Sequence, residues 1–218
     1  MTEDLVIVGA GGFSRQIAEL VEELNRIAPR WRLTGFLDDN PDLAGRQVMG
    51  YPVSGPLEAG AGCQSARFVI GIANYRKPDA RRIVSARLGF EPGRYATLIH
   101  PSASVSIRAK VGPGTVILQN VVVSHDVVIG GHVLVSPGCV VGHGSVIGDF
   151  ATFAAHVTLS GSCRIGPAAY LGSHSTVLED IRVGEGALVG IGAVVLNDVA
   201  PDVTVFGNPA AQRWRRGQ

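Results

Sequence analysis

From Val105 to Val195 the chain carries a large apolar residue at every sixth position: Val105, Val111, Ile117, Val123, Ile129, Val135, Val141, Ile147, Phe153, Leu159, Ile165, Leu171, Val177, Val183, Val189 and Val195. Four positions after each comes a small or β-branched residue, from Ala109 and Thr115 through Cys139, Ser145 and Ala151 to Ala187, Ala193 and Val199. Glycine often follows the large residue directly, as at Gly112, Gly148, Gly166, Gly172 and Gly190. A helix repeats its apolar positions every three to four residues and a strand every two, so a period of six is neither. The pattern is satisfied by a parallel β-helix in which each hexapeptide forms one flat side and three make a triangular coil. The large residue fills the prism, the small one fits beside it, and glycine is expected to supply the corner torsions. Coils stacked at about 4.8 Å make a prism roughly 25 Å tall.

The earlier part of the chain follows other rules. Leu5 to Val8 is a short apolar run leading into Gly9-Ala-Gly-Gly-Phe-Ser14. Ile17, Leu20, Val21 and Leu24 then recur with helical spacing. Further strands are predicted at Leu33–Leu37, ending in Asp38-Asp39, and at Arg67–Ile72, ending in Ala73-Asn74, with a second helix around Asp79 to Leu88. Strands alternating with helices imply a parallel sheet. The expected organisation is a Rossmann-like α/β unit over residues 1–95 and an all-β parallel β-helix over 96–218.

Composition narrows the choice of function. The formal net charge is +1, from 19 basic and 18 acidic residues, so nothing draws the chain generally to nucleic acid or anionic membrane. No leader-like segment is visible, and no apolar run approaches the roughly 18 residues that span a bilayer. Three widely spaced cysteines, Cys63, Cys139 and Cys163, do not form a disulfide framework and fit a reducing cytoplasm. Cys139 and Cys163 fall on the small inward series and are expected to be packing residues rather than nucleophiles.

Two regions carry candidate chemistry. A strand, a Gly9-x-Gly11-x-x-Ser14 turn and a helix start present free backbone N–H groups and a helix dipole to an anion. Asp38 and Asp39, at the end of the second strand, can accept hydrogen bonds from ribose hydroxyls or a base. With one mononucleotide half in about 95 residues, a single nucleotide fits better than a dinucleotide. In the repeat, His125-Asp-Val-Val-Ile-Gly130 and His143-Gly-Ser-Val-Ile-Gly148 lie eighteen residues apart, one full coil. They should stack on one edge about 4.8 Å apart. An imidazole, with an ordinary pKa of about 6.5, suits proton transfer near neutral pH. His132, His156 and His174 read as surface corner residues, and His100 as part of the junction. No metal set is recognisable, since the His-x-x-x-x-His pair of the carbonic anhydrases sharing this prism is absent.

Gly-Ala-Gly-Gly, Leu37-Asp-Asp39, Ile72-Ala-Asn74, Ile99-His-Pro-Ser102, the sixteen hexapeptides and Phe206-Gly-Asn-Pro-Ala210 together resemble bacterial sugar-nucleotide N-acetyltransferases of the hexapeptide-repeat superfamily and the related sialic acid O-acetyltransferases. The resemblance spans essentially the whole chain. It implies a left-handed β-helix, acetyl-CoA as co-substrate, a homotrimer, and acetylation of the 4-amino group of a nucleotide-linked 4-amino-4,6-dideoxy sugar; O-acetylation of a sialic acid is the alternative. It implies a nucleotide over Gly11, Gly12 and Phe13, with Asp38, Asp39 and Ala73 beside it, and acetyl-CoA along Thr152, Ser173 and Ile191. It implies His143 as base, because His143 stands at the family's catalytic distance from Gly-Asn-Pro-Ala, and a backbone N–H near Gly161 or Ser162 for the oxyanion. Gly144 stands where the family has an acid, and Phe13-Ser14 where it often has His-Gly.

Overall fold

The computed structural model describes residues 2–215. Its first unit is a three-stranded parallel sheet in the order β2 (Trp31–Leu37), β1 (Glu3–Val8), β5 (Arg67–Ile70). Helix α1 (Gly12–Ile27) links β1 to β2, and α2 (Ala80–Leu88) follows β5. A two-residue-per-arm hairpin, β3 (Gln47–Val48) and β4 (Tyr51–Pro52), was not legible in the sequence. Alternation along β1 sorts its side chains between two cores. Leu5 and Ile7 join Ile17, Leu20 and Val21 of α1, and that cluster continues into Leu98, Val116, Leu118 and Leu134 of the second unit. Val6 and Val8 face the other way, toward Phe68, Ile70, Val84 and Tyr95.

The second unit is a left-handed parallel β-helix. Its first face runs from Ser104–Val105 to Val194–Val195 in six strands, its second from Lys110–Val111 to Arg182–Val183 in five. The third face starts at Leu98–Ile99, passes Leu188–Val189, and is extended by Val203–Phe206 and the antiparallel Ala211–Arg215. Register advances by eighteen residues per coil, as in Val123↔Val141, Ile129↔Ile147 and Val135↔Phe153. From Ile117 on, the large series is buried in one continuous cluster, and each such side chain contributes roughly 1.5–3 kcal/mol by leaving water. The small series lies against it, where Thr115 Oγ1 donates to Gly130 O (2.7 Å) and Cys139 Sγ to Ala154 O (3.1 Å). Burial pushes the Cys139 thiol up to about 11, as expected of a packing residue.

The glycines divide between two jobs, and the sequence suggested only one of them. The left-handed corner torsion falls on Asn120, Asp126, His132, Phe150, His156, Ser162, Ala168, His174 and Asp180 as well as on Gly114, Gly138, Gly144, Gly186 and Gly192. The glycine after each large residue is required by close approach instead. A Cβ at Gly142 would stand 2.4 Å from Ser160 O, and one at Gly112 2.5 Å from the Gly130 carbonyl carbon. The coils pass too closely there for any side chain.

Candidate active site

The glycine turn meets the C-terminal ends of β1, β2 and β5. Gly11 caps α1 with no side-chain hydrogen bond, and Gly11 and Gly12 are exposed with open space where a Cβ would be. The first turn of α1 therefore presents backbone N–H groups outward. Phe13 is half-buried against the α1 core. Ser14, in place of a third fingerprint glycine, is fully buried and donates to Gly71 O (3.0 Å), tying the turn to the end of β5. The two acids divide their work. Asp38 Oδ2 accepts from Ala10 N (2.8 Å) and Oδ1 from Asn40 N (2.9 Å), so this carboxylate builds the turn. Asp39 turns to Arg87 (2.6 Å) and Leu57 N (3.1 Å). Against the upward push of partial burial, those bonds hold its carboxyl below the usual range. Ala73 is exposed just beyond β5.

On the prism, His125 and His143 occupy the edge between the first and second faces. Their rings stack with centroids 5.4 Å apart and planes 7° from parallel, as the eighteen-residue spacing predicted. His125 Nδ1 bonds Asp126 Oδ2 (2.8 Å), and that bond holds the Asp126 carboxyl below its ordinary range. His143 makes no side-chain hydrogen bond among the described residues. It is sandwiched: a Cβ at Gly161, one coil on, would lie 2.6 Å from His143 Cε1. Gly144 has φ +66, the corner position that Asp126 fills one coil earlier, and Arg164 Nη1 grips its carbonyl at 2.8 Å. Ser162 N–H is already spent on His143 O (2.7 Å), so of the two oxyanion donors expected there Ser162 is removed.

A groove of about 730 Å³ opens on the third face and the edge beyond it, lined by Tyr170, Ser173, Leu188, Ile191, Phe206 and Trp214, with Tyr75 and Arg76 from the first unit. Ser173 and Ile191 both line it. Thr152 does not open into it: it is 6 % exposed, and its hydroxyl accepts from Arg81 Nη2 (2.7 Å). Within one protomer His143 and Ser173 stand on different edges of the prism.

Arg81, in a stretch of sequence that reads as an ordinary surface helix, is 2 % exposed. Its guanidinium donates to Ile72 O (2.6 Å), His132 O (3.2 Å), Ala151 O (3.1 Å) and also to Phe150 O. It thus rivets the β5 end to the prism. Burial pulls it down to about 9, still protonated at neutral pH. His132 is likewise inside, contrary to the surface reading: it is 8 % exposed, packed edge-on against Tyr95 (4.4 Å) and stacked on Phe150 (4.9 Å). Burial, then the Arg81 charge, pushes its imidazole down to about 4. His156 and His174 are exposed as expected and stack at 4.9 Å. His100 Nε2 bonds Glu23 of α1, fastening the junction.

The model of the PglD N-terminal domain matches residues 4–85, and that of the bacterial transferase hexapeptide (six repeats) matches residues 126–161. The chain thus joins a PglD N-terminal domain to bacterial transferase hexapeptide repeats. The chain is 32 % identical over 118 residues to the UDP-N-acetylbacillosamine N-acetyltransferase of Bacillus subtilis (strain 168), a stretch that is 53 % of this chain and 51 % of that protein. The match thus spans about half the length of that relative. Two solved structures align along nearly all of both chains. The acetyltransferase domain of PglB from Neisseria gonorrhoeae FA1090, in complex with acetyl coenzyme A, has a TM-score of 0.84 at 28 % identity, covering 98 % of this chain and 100 % of that one. PerB from Caulobacter crescentus, in complex with CoA and GDP-perosamine, has a TM-score of 0.81 at 26 % identity, covering 98 % and 99 %.

Proposed function

We propose that this protein transfers the acetyl group of acetyl-CoA to the 4-amino group of a nucleotide-linked 4-amino-4,6-dideoxy sugar in the cytoplasm, as a homotrimer. One observation carries the reading: a glycine turn at an open helix N-terminus is riveted through Arg81 to the same prism face that carries the groove. A nucleotide held at Gly11 and Gly12, with Ala73 beside it, leaves its sugar directed toward the prism. The relatives' named activities and bound molecules support that assignment of the two sites.

A thioester is already activated, so the protein must supply a neutral amine, position and charge stabilisation. The groove offers Ser173, Ile191, Phe206 and Trp214 to the pantetheine arm and adenosine. His143 takes the proton as the amine nitrogen bonds the acetyl carbon and the carbon–sulfur bond breaks, and the proton then passes to the leaving sulfur to give CoA thiol. An amine acceptor is favoured over the hydroxyl of a sialic acid, because Gly144 leaves His143 without a carboxylate to orient it for the harder deprotonation.

The separation of His143 and Ser173 on different prism edges supports an assembly in which copies complete one another's sites. A neighbouring copy joins one protomer's histidine edge to another's groove. The histidine edge is flanked on both faces by Val122, Val128, Val140 and Val146, each 38–41 % exposed, the apolar surface such a neighbour would cover.

The test compares kcat/KM, with acetyl-CoA, for a nucleotide-linked 4-amino sugar and for the free amino sugar. The linked sugar is expected to be far better, since remote binding energy positions the amine. Equal values would overturn the reading and move a free sugar acid ahead.

A further inference from the structure

The segment that leaves β5 runs Ile72-Ala73-Asn74-Tyr75-Arg76-Lys77 before α2. One end lies at the proposed nucleotide site, and the other forms a wall of the groove on the prism. It is a built element rather than a loose connection. Asn74 Oδ1 accepts from Arg76 N (2.9 Å) and Asn74 O from Lys77 N (3.1 Å), closing a turn. The buried Arg81 holds Ile72 O at 2.6 Å while gripping the prism at Thr152. The Tyr75 ring packs 6.1 Å from that of Tyr170 on the prism. Arg76 lies over the Tyr75 ring at 5.4 Å and donates from Nε to its hydroxyl (2.9 Å). Among the described residues Arg76 pairs with no carboxylate. Asp79, also in the groove wall, is paired with Arg82 (2.9 Å), and Asp202 lies over Gly186.

We infer that Tyr75 and Arg76 of the N-terminal unit are acyl-donor-binding residues, Arg76 pairing with a phosphate of the CoA moiety. The inference rests on the acetyl-CoA reading above. An exposed guanidinium, pre-oriented on an aromatic face at the rim of the groove, is what a phosphorylated donor needs at its charged end. The apolar side chains of the groove, Tyr170, Leu188, Ile191, Phe206 and Trp214, suit the uncharged arm. The two units then share the donor site, and the same turn touches both substrates.

Calorimetry on the full-length protein without acceptor, using acetyl-CoA and S-acetylpantetheine as probes, tests this. Arg76→Ala should weaken acetyl-CoA about tenfold or more, the loss of one charged hydrogen-bond partner. The phosphate-free S-acetylpantetheine should bind wild type and variant alike. Arg76→Lys should recover part of the loss, and Tyr75→Phe should weaken acetyl-CoA less than Tyr75→Ala. Both side chains are exposed, so folding is not at stake. Unchanged acetyl-CoA affinity in Arg76→Ala overturns the inference, and so does a variant that raises only the KM for the nucleotide-linked sugar. A wild-type protein that binds no acetyl-CoA would instead sink the proposed function itself.

Discussion

Replacing Gly161 by alanine tests how His143 is held. Gly161 has no left-handed φ, so alanine meets no torsional penalty there. The new methyl carbon would stand 2.6 Å from His143 Cε1, 2.8 Å from Nε2 and 3.2 Å from Nδ1. Carbon atoms rest at about 3.5–4.0 Å, so the ring must move by about 1 Å. It cannot shift toward His125 without breaking that stack, and it must swing outward. An exposed side chain swings at little cost to stability, whereas a 1 Å misplacement of a reacting group costs roughly 10²-fold in rate. Gly161→Ala should therefore lower kcat by about 10²-fold, with acetyl-CoA affinity and thermal midpoint nearly unchanged. Steady-state kinetics alongside calorimetric unfolding read both quantities. A variant within a few-fold of wild type would mean that the His143 ring position is irrelevant to turnover. A large fall in thermal midpoint would mean that Gly161 serves the coil packing instead.

Three further outcomes are expected. His143→Ala should lower kcat by roughly 10²–10⁴-fold, the range of general-base help, and His125→Ala far less; the reverse ranking would transfer the role to the His125–Asp126 pair. The unfolded chain protonates His132 near pH 6.5 and the folded chain only near 4, so stability falls as pH drops through that window, by about 3 kcal/mol in full. His132→Phe, which keeps the stack on Phe150 and removes the unpartnered Nδ1, should flatten urea midpoints there, and an unchanged slope would assign the acid loss elsewhere. Val140→Asp combined with Val146→Asp should leave a folded but inactive monomer by light scattering; a persisting active trimer would place the interface on another edge.

The prism could be read in the sequence because its period is a local matter. Each hexapeptide must supply one large and one small inward side chain whatever its distant neighbours are, so Val105 through Val195 announce the fold without knowledge of any contact. The stacking of His125 on His143 followed from the same eighteen-residue geometry. The glycine series was visible but misassigned: its cause is the backbone of the next coil, as at Gly142 against Ser160, and sequence alone cannot separate close approach from torsion. His132 was misread and Arg81 went unnoticed because their burial depends on distant partners: Tyr95 and Phe150 pack on His132, and Arg81 reaches residues 51 to 71 positions away. The local signal of Ala80-Arg-Arg-Ile-Val is that of an exposed helix, and only docking of the first unit on the third face dries that surface. The same docking took Thr152 out of the groove and brought Tyr75 and Arg76 into it. Which edge each candidate residue occupies, and hence that His143 and Ser173 cannot meet within one chain, was decided by how eighteen-residue coils turn three corners in space.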